Sequence, residues 1–139
     1  MDIARVTAVD DDLVGAFARL MPLLNETSRP PTDDELAEIV RTGHLFVARD
    51  PRIVGVLTLH LYRIPTGLSA RIDDVIVATE ARGRGVGEAL TRAAIDHARA
   101  AGARAVNLTS HPRREAANRL YQRVGFERRD TNVYVYKLR

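Results

Sequence analysis

Apolar residues recur along the chain in two rhythms, and the switches between them mark out its elements. Ile3 to Val9 alternates well enough for a first strand. Leu13, Phe17, Leu20, Leu23 and Leu24 then follow helical spacing, which predicts a first helix ending near Leu23. The Asp10-Asp11-Asp12 run before it reads as a turn and N-cap, because carboxylates favour a helix start. A polar, proline-marked loop covers Asn25 to Pro31. Thr32 and Glu35 next form a capping-box pattern ahead of Leu36, Ile39 and Val40, so a second short helix is expected, ended by Gly43. His44 to Arg49 and Ile53 to Tyr62 are β-rich runs separated by Asp50-Pro51-Arg52, a hairpin signal.

Pro65, Gly67 and Ser69 mark another loop, and Ser69 to Val77 reads as a strand. In the helix that follows, Val86, Ala89, Leu90, Ala93 and His97 share one face, where a histidine is most simply a packed one. Gly102 breaks the chain and Ala105 to Leu108 make a short strand. Pro112 suits the first turn of another helix, which runs to Val124 and stops at Gly125. Phe126 to Arg129 and Val133 to Leu138 read as two closing strands around Asp130-Thr131-Asn132. The pattern predicts a mixed α/β fold with one sheet of about seven strands and about four helices, in a single domain over residues 1–139.

Composition narrows the chemistry. At 139 residues, 45% of them hydrophobic, the chain can bury a real core. It has no apolar run long enough to span a membrane and no signal-peptide pattern, so a cytoplasmic protein is the default and no membrane partner is expected. The absence of cysteine removes disulfides, thiolate metal sites and acyl-cysteine intermediates. The aspartate run is a poor metal site, and none is expected elsewhere. The net charge is +3, carried almost wholly by arginine, with Lys137 as the lone lysine. Arginine's fork suits small anions as well as nucleic acid. The cations are scattered and aromatics are 5% of the chain, so a nucleic-acid partner is not expected.

The most informative stretch is IDDVIV-ATEARGRGVG-EALTRAAIDHARAA, from Ile72 to Ala101. It places Gly83, Gly85 and Gly87, interleaved with Arg82 and Arg84, where a strand turns into a helix. Such glycines let backbone approach a ligand, and the helix start offers unpaired N–H groups at its positive end. That combination suits a phosphate or pyrophosphate, although a plain tight turn explains it too. The dinucleotide fingerprint G-x-G-x-x-G fails, because its last position falls on Glu88 or Leu90. The P-loop pattern fails for want of Gly-Lys-Ser/Thr. Downstream, Asn118 and Tyr121 lie one turn apart on a helix, with Tyr121 also in its apolar stripe. A core tyrosine is an equal reading from spacing alone.

Here the sequence resembles a known family. Arg82-Gly83-Arg84-Gly85-Val86-Gly87 looks like motif A, Q/R-x-x-G-x-G/A, of the GNAT superfamily of acetyl-CoA-dependent N-acetyltransferases. ANRLYQRVGFERRD looks like the family's motif B, with Asn118 and Tyr121 at its marked positions. Thr79 stands where many members have proline, and IDDVIV loosely resembles the glucosamine-phosphate acetyltransferase branch. The resemblance implies a GNAT-like fold with central strands splayed for CoA, and acetyl-CoA as cosubstrate. It implies that backbone N–H groups of Arg82, Gly83, Arg84, Gly85, Val86 and Gly87 hold the pyrophosphate, while Val75, Ile76 and Val77 pair with the pantetheine arm. Asn118 would hydrogen-bond that arm and Tyr121 would lie near the sulfur.

The reaction itself sets further demands. An ammonium must lose a proton before it attacks a thioester, and the oxyanion needs a donor, which a free N–H between Val75 and Val77 could supply. The leaving thiolate needs a proton, and a phenol such as Tyr121 can offer one. Without cysteine, direct attack in a ternary complex is expected, with a serine relay as the formal alternative. Candidates for the base are Asp74 and Glu26, with Asp73 and His111 behind them and a water chain as the alternative. Alternation puts Asp73 and Asp74 on opposite faces of their strand, and Glu26 lies in a loop that borders the acceptor site in this family. The acceptor, a small-molecule or peptide amine, is not legible; Arg29, Arg63, Arg71 and Arg129 would suit an acidic one. A non-catalytic CoA-binding sensor or interaction module is the rival reading. Family members are often dimers, and the closing strands could supply the edge for a homodimer.

Overall fold

Local capping chemistry fixes the two N-terminal helices of the computed structural model, which describes all 139 residues. Asp10 accepts from the Leu13 amide at 2.8 Å and starts α1 (Asp11–Leu24). Thr32 accepts from the Glu35 amide at 3.2 Å while Glu35 Oε1 accepts from the Thr32 amide at 2.9 Å. This reciprocal box opens α2 (Asp33–Thr42), and Gly43 closes it by donating to Ile39 O at 2.8 Å. Arg29 donates to both Glu35 oxygens, at 2.7 and 3.0 Å, and holds that carboxyl down to about 2.

The chain forms two compact units, Met1–Thr109 and Ser110–Arg139. The first contains a five-stranded sheet in the order β1 (Asp2–Arg5), β2 (His44–Arg49), β3 (Ile53–Ile64), β4 (Gly67–Val77) and β5 (Val106–Asn107). The first four strands run antiparallel to their neighbours, whereas β5 lies parallel to β4. Hairpin-length connections join β2 to β3 and β3 to β4, whereas α1 and α2 intervene between β1 and β2, and a helical crossover makes the β4–β5 pair parallel. β1 is shorter than its alternation suggests, although Val6 still donates to Leu45 O at 2.8 Å.

Helix α3 (Val86–Ala100) packs across the sheet with Leu90, Thr91, Ala94 and Ala98 buried. The sheet buries Leu45, Val47, Val56, Leu57 and Leu59, and each such side chain contributes about 1.5–3 kcal/mol by leaving water. Gly55 sets how close α3 comes. A Cβ there would sit 2.8 Å from Val86 Cγ1 and 3.0 Å from Leu90 Cδ1. The first turns of α3 therefore lie against β3 backbone because position 55 has no side chain.

Two features of β4 shape its far end. On one side β5 pairs with it only at Ala70 and Arg71, so residues 72–77 have no strand partner there. On the other side the register slips: Val56 faces Ile76 and Thr58 faces Asp73, so Asp74 and Val75 stand together against Leu57. This β-bulge puts Asp74 at φ 52, a left-handed conformation that aspartate tolerates better than most residues. The simple alternation expected for Asp73 and Asp74 is broken at this point.

In the second unit, α4 (Glu115–Val124) carries a half-buried stripe of Ala117, Leu120, Tyr121 and Val124. Pro112 lies three residues ahead of its first turn rather than within it, and Arg114 takes the N-cap position. Gly125, at φ 121, donates to Tyr121 O and Gln122 O at 3.1 Å and ends the helix. The two expected closing strands are absent, so the sheet has five strands instead of about seven. Val133, Tyr134, Val135, Tyr136 and Leu138 are 72–90% exposed. Their period-2 pattern satisfies what a strand's own residues need, but a strand exists only when its backbone groups meet a partner.

Candidate active site

The glycine turn forms between β4 and α3 through a short 3₁₀ turn, Thr79–Ala81. Gly83 and Gly85 adopt φ 77 and φ 80, left-handed values that glycine reaches at little cost. Gly85 serves as the N-cap of α3 with no side chain to satisfy the helix start. No backbone–backbone hydrogen bond uses the N–H groups from Gly83 to Gly87. Nothing lies within 4 Å of where a Cβ would stand on Gly83 or Gly85. The arginine side chains are drawn to the flanks: Arg82 Nε donates to Val77 O at 3.4 Å, and Arg84 reaches Asp50 at 3.5 Å. Unpaired amides, a helix N-terminus and open space meet here, which is the chemistry of an anion cradle.

Val75, Ile76 and Val77 lead directly into that cradle along β4, whose edge toward β5 is open from Ile72 onward. At their start, Asp73 and Asp74 differ sharply. Asp73 accepts from Arg71 Nε at 3.2 Å through both carboxylate oxygens, and Arg71 also donates to Thr109 Oγ1 at 3.2 Å. Asp74 has neither a hydrogen bond nor an ion pair. Partial desolvation of its carboxyl, reinforced by the Asp73 charge, raises it above the ordinary aspartate range, while His60 pulls it back down. As a residue Asp74 is nonetheless exposed and so reachable from solvent.

The other expected residues are placed as follows. Glu26 is exposed in the α1–α2 loop, which is pinned beside it by Thr27 donating to Asn25 Oδ1 through N at 3.0 Å and Oγ1 at 2.8 Å. No bond links Glu26 to Asp74. In the second unit, Asn118 Nδ2 donates to His111 O at 3.0 Å and Arg114 O at 2.9 Å, leaving its amide oxygen as a fixed acceptor. Tyr121 packs edge-on against Phe126 with centroids 5.7 Å apart. Burial raises its phenol above the ordinary value, opposed by Arg114. His111 Nδ1 accepts from the Arg113 backbone amide at 3.0 Å, a turn-forming role.

The histidines complete the picture. His97 is a packing residue, its ring 4.5 Å from that of His44 and 5.7 Å from that of Phe46. Burial lowers His44, as do the charges of His97, Arg5 and His60. His60 was not singled out by the sequence. It sits half-buried on β3, opposite Arg71 of β4, in a run where Thr58, His60 and Tyr62 break an apolar strand at every second position. That spacing was the available signal.

Residues 11–126 match the family model described as the acetyltransferase (GNAT) family. Over 57 residues, 41% of this chain, the sequence is 49% identical to a mycothiol acetyltransferase of Paenarthrobacter aurescens (strain TC1), a stretch spanning 18% of that relative. Among solved structures, a ribosomal-protein-alanine N-acetyltransferase from Brucella melitensis biovar Abortus 2308 superposes with a TM-score of 0.79 at 24% identity, covering 99% of this chain and 100% of that one. An aminoglycoside acetyltransferase from an uncultured soil metagenomic sample gives 0.84 at 21% identity, covering 99% and 96%. At these identities the two structures speak for the fold, while the family model, spanning most of the sequence, settles membership: the chain belongs to the acetyltransferase (GNAT) family.

Proposed function

We propose that the protein transfers the acetyl group of acetyl-CoA directly to a primary amine of a small molecule or peptide. The observation that carries this reading is the open cradle at Gly83–Gly87, placed directly after a β4 edge that has lost its β5 partner. A pyrophosphate at residues 82–87 would be held by the backbone N–H groups of Gly83 to Gly87 and the α3 dipole, the Arg82 amide being turned to Thr79 O at 3.3 Å. The pantetheine arm has amide groups of its own and would pair along Val75, Ile76 and Val77 as an added strand does. Asn118 offers its free amide oxygen to an N–H of the same arm.

The residues then divide the chemistry. The acceptor arrives as an ammonium, for which Asp74 supplies the unpaired carboxylate and Glu26 a second one at the acceptor entrance. Once deprotonated, the amine attacks the thioester carbon, and a β4 amide among residues 75–77 stabilises the oxyanion. Collapse of that intermediate breaks the C–S bond, and the Tyr121 phenol protonates the departing thiolate. A cysteine-free chain supports direct transfer without an acyl-enzyme. The relatives' acceptors, an alanine amine and an aminoglycoside by their names, are both amines.

The test is thiol release from acetyl-CoA across a panel of cadaverine, glucosamine and an alanyl tripeptide, with acetyl-CoA binding measured in parallel. Amine-dependent release supports transferase activity. Tight binding without release for any amine would favour the sensor or interaction module instead.

A further inference from the structure

His60 is a half-buried imidazole for which neither the packing nor the assigned chemistry has a use. It makes no hydrogen bond at either ring nitrogen. Cross-strand pairing sets its direction: His60 opposes Arg71 and Thr58 opposes Asp73, so these four side chains leave the sheet on one face. One residue further, the bulge takes Asp74 out of the alternation beside Asp73, and the His60 side chain acts on its carboxyl from the neighbouring strand. The ring is seated from behind by the end of α2. A Cβ on Gly43 would stand 3.3 Å from its Nδ1, so the missing side chain makes room for the imidazole.

We infer that His60 is the group that takes the proton from the acceptor ammonium, with Asp74 holding that ammonium beside it. This rests on the acetyltransferase reading with Asp74 at the acceptor amine. In the step, an N–H bond of the ammonium breaks and its proton forms an N–H bond to the neutral imidazole. The freed lone pair attacks the thioester carbon, and the imidazolium later releases the proton to solvent. Neutral imidazole is well matched to proton transfer near neutral pH. The arrangement also explains why Asp73 is tied to Arg71: a bound guanidinium leaves one free carboxylate, Asp74, to define where the cation sits. The charged and titratable groups nearest the ring are Asp73 and Arg71 on its face of β4, Asp74 at the bulge and Tyr62 on β3; His44 on β2 pairs with Leu59 and packs on His97 on the other face, and Gly43 at the end of α2 brings no charge.

The experiment compares kcat/KM of wild type, His60→Gln and Asp74→Asn from about pH 6 to about pH 9.5, using the best acceptor among cadaverine, glucosamine and an alanyl tripeptide. Wild type should level off below the amine's own pKa. His60→Gln should fall by about 100-fold at neutral pH and keep rising until the amine itself deprotonates, with the acetyl-CoA KM unchanged. Added imidazole should restore part of the rate in His60→Ala. A His60→Gln enzyme with wild-type rate and pH profile overturns the inference while leaving the acetyltransferase reading intact. Wild type that acetylates none of the three amines overturns both.

Discussion

Arg71 Nε lies 3.2 Å from both carboxylate oxygens of Asp73, two residues along the same strand. The contact separates two adjacent aspartates that look equivalent in the sequence. Asp73 has its charge compensated by a guanidinium, whereas Asp74 faces outward from a bulge without a partner. The two Asn substitutions should therefore diverge. Asp74→Asn is expected to lower kcat/KM by about 100-fold. Asp73→Asn breaks a partly exposed pair and should cost less than about fivefold. Steady-state kinetics of the two variants checks this.

Asp74 also carries a stability consequence. Its folded carboxyl sits above the ordinary range, so ionisation opposes folding once the pH passes the unfolded value. Removing the charge should stabilise the fold at neutral pH, and asparagine keeps the left-handed backbone acceptable. Asp74→Asn should raise Tm by on the order of 1 °C at neutral pH, with the gain vanishing in acid as wild type protonates. Thermal melts at two pH values read the difference. A fold weakened by a group proposed to act on substrate is the expected exchange between stability and function.

The cradle makes a prediction about binding. Gly85 sits at φ 80, where a Cβ costs about 1–2 kcal/mol. Since nothing in the protein occupies the space beside it, the side chain of Gly85→Ala would intrude on the ligand. The acetyl-CoA KM should rise about tenfold or more, the equivalent of one charge-assisted hydrogen bond at about 1.5–3 kcal/mol. Calorimetric titration with CoA should show the same loss.

Gly55 tests how the cradle is supported from behind. In Gly55→Ala the new Cβ would meet Val86 at 2.8 Å and Leu90 at 3.0 Å, pushing the first turns of α3 off β3. Overpacking of this kind costs about 1–3 kcal/mol. A lower Tm together with weaker CoA binding is expected, although residue 55 touches no ligand.

Tyr121→Phe keeps the edge-on contact with Phe126 and removes only the hydroxyl. The kcat should fall by about 100-fold with little change in acetyl-CoA affinity. Because burial raises the phenol, the group stays protonated further into base, and wild-type activity should show no alkaline fall before about pH 10. Stopped-assay rates across the alkaline range check the sign.

What the sequence reveals here divides by range. Capping at Asp10, Thr32 and Glu35 is legible because donor and acceptor lie within three residues of each other. The glycine turn is legible for the same reason, its φ requirement being local. The bulge at Asp74 is not, because it depends on which residue of β3 each β4 residue meets. His60 escaped for a related reason: its significance comes from Arg71, Asp73 and Gly43, which are distant in sequence. The segment Val133–Leu138 shows the reverse case, with strand-like alternation and no strand formed.

Product analysis tests N-acetyl transfer most directly. Wild-type protein is incubated with acetyl-CoA labelled in the acetyl group, together with the three amines, and the amines are recovered for mass spectrometry. One labelled acetyl group is expected on nitrogen of at least one amine, formed in equal amount with free CoA and about 100-fold more slowly in Tyr121→Phe and Asp74→Asn. Intact acetyl-CoA, or free CoA with unlabelled amines, would contradict it.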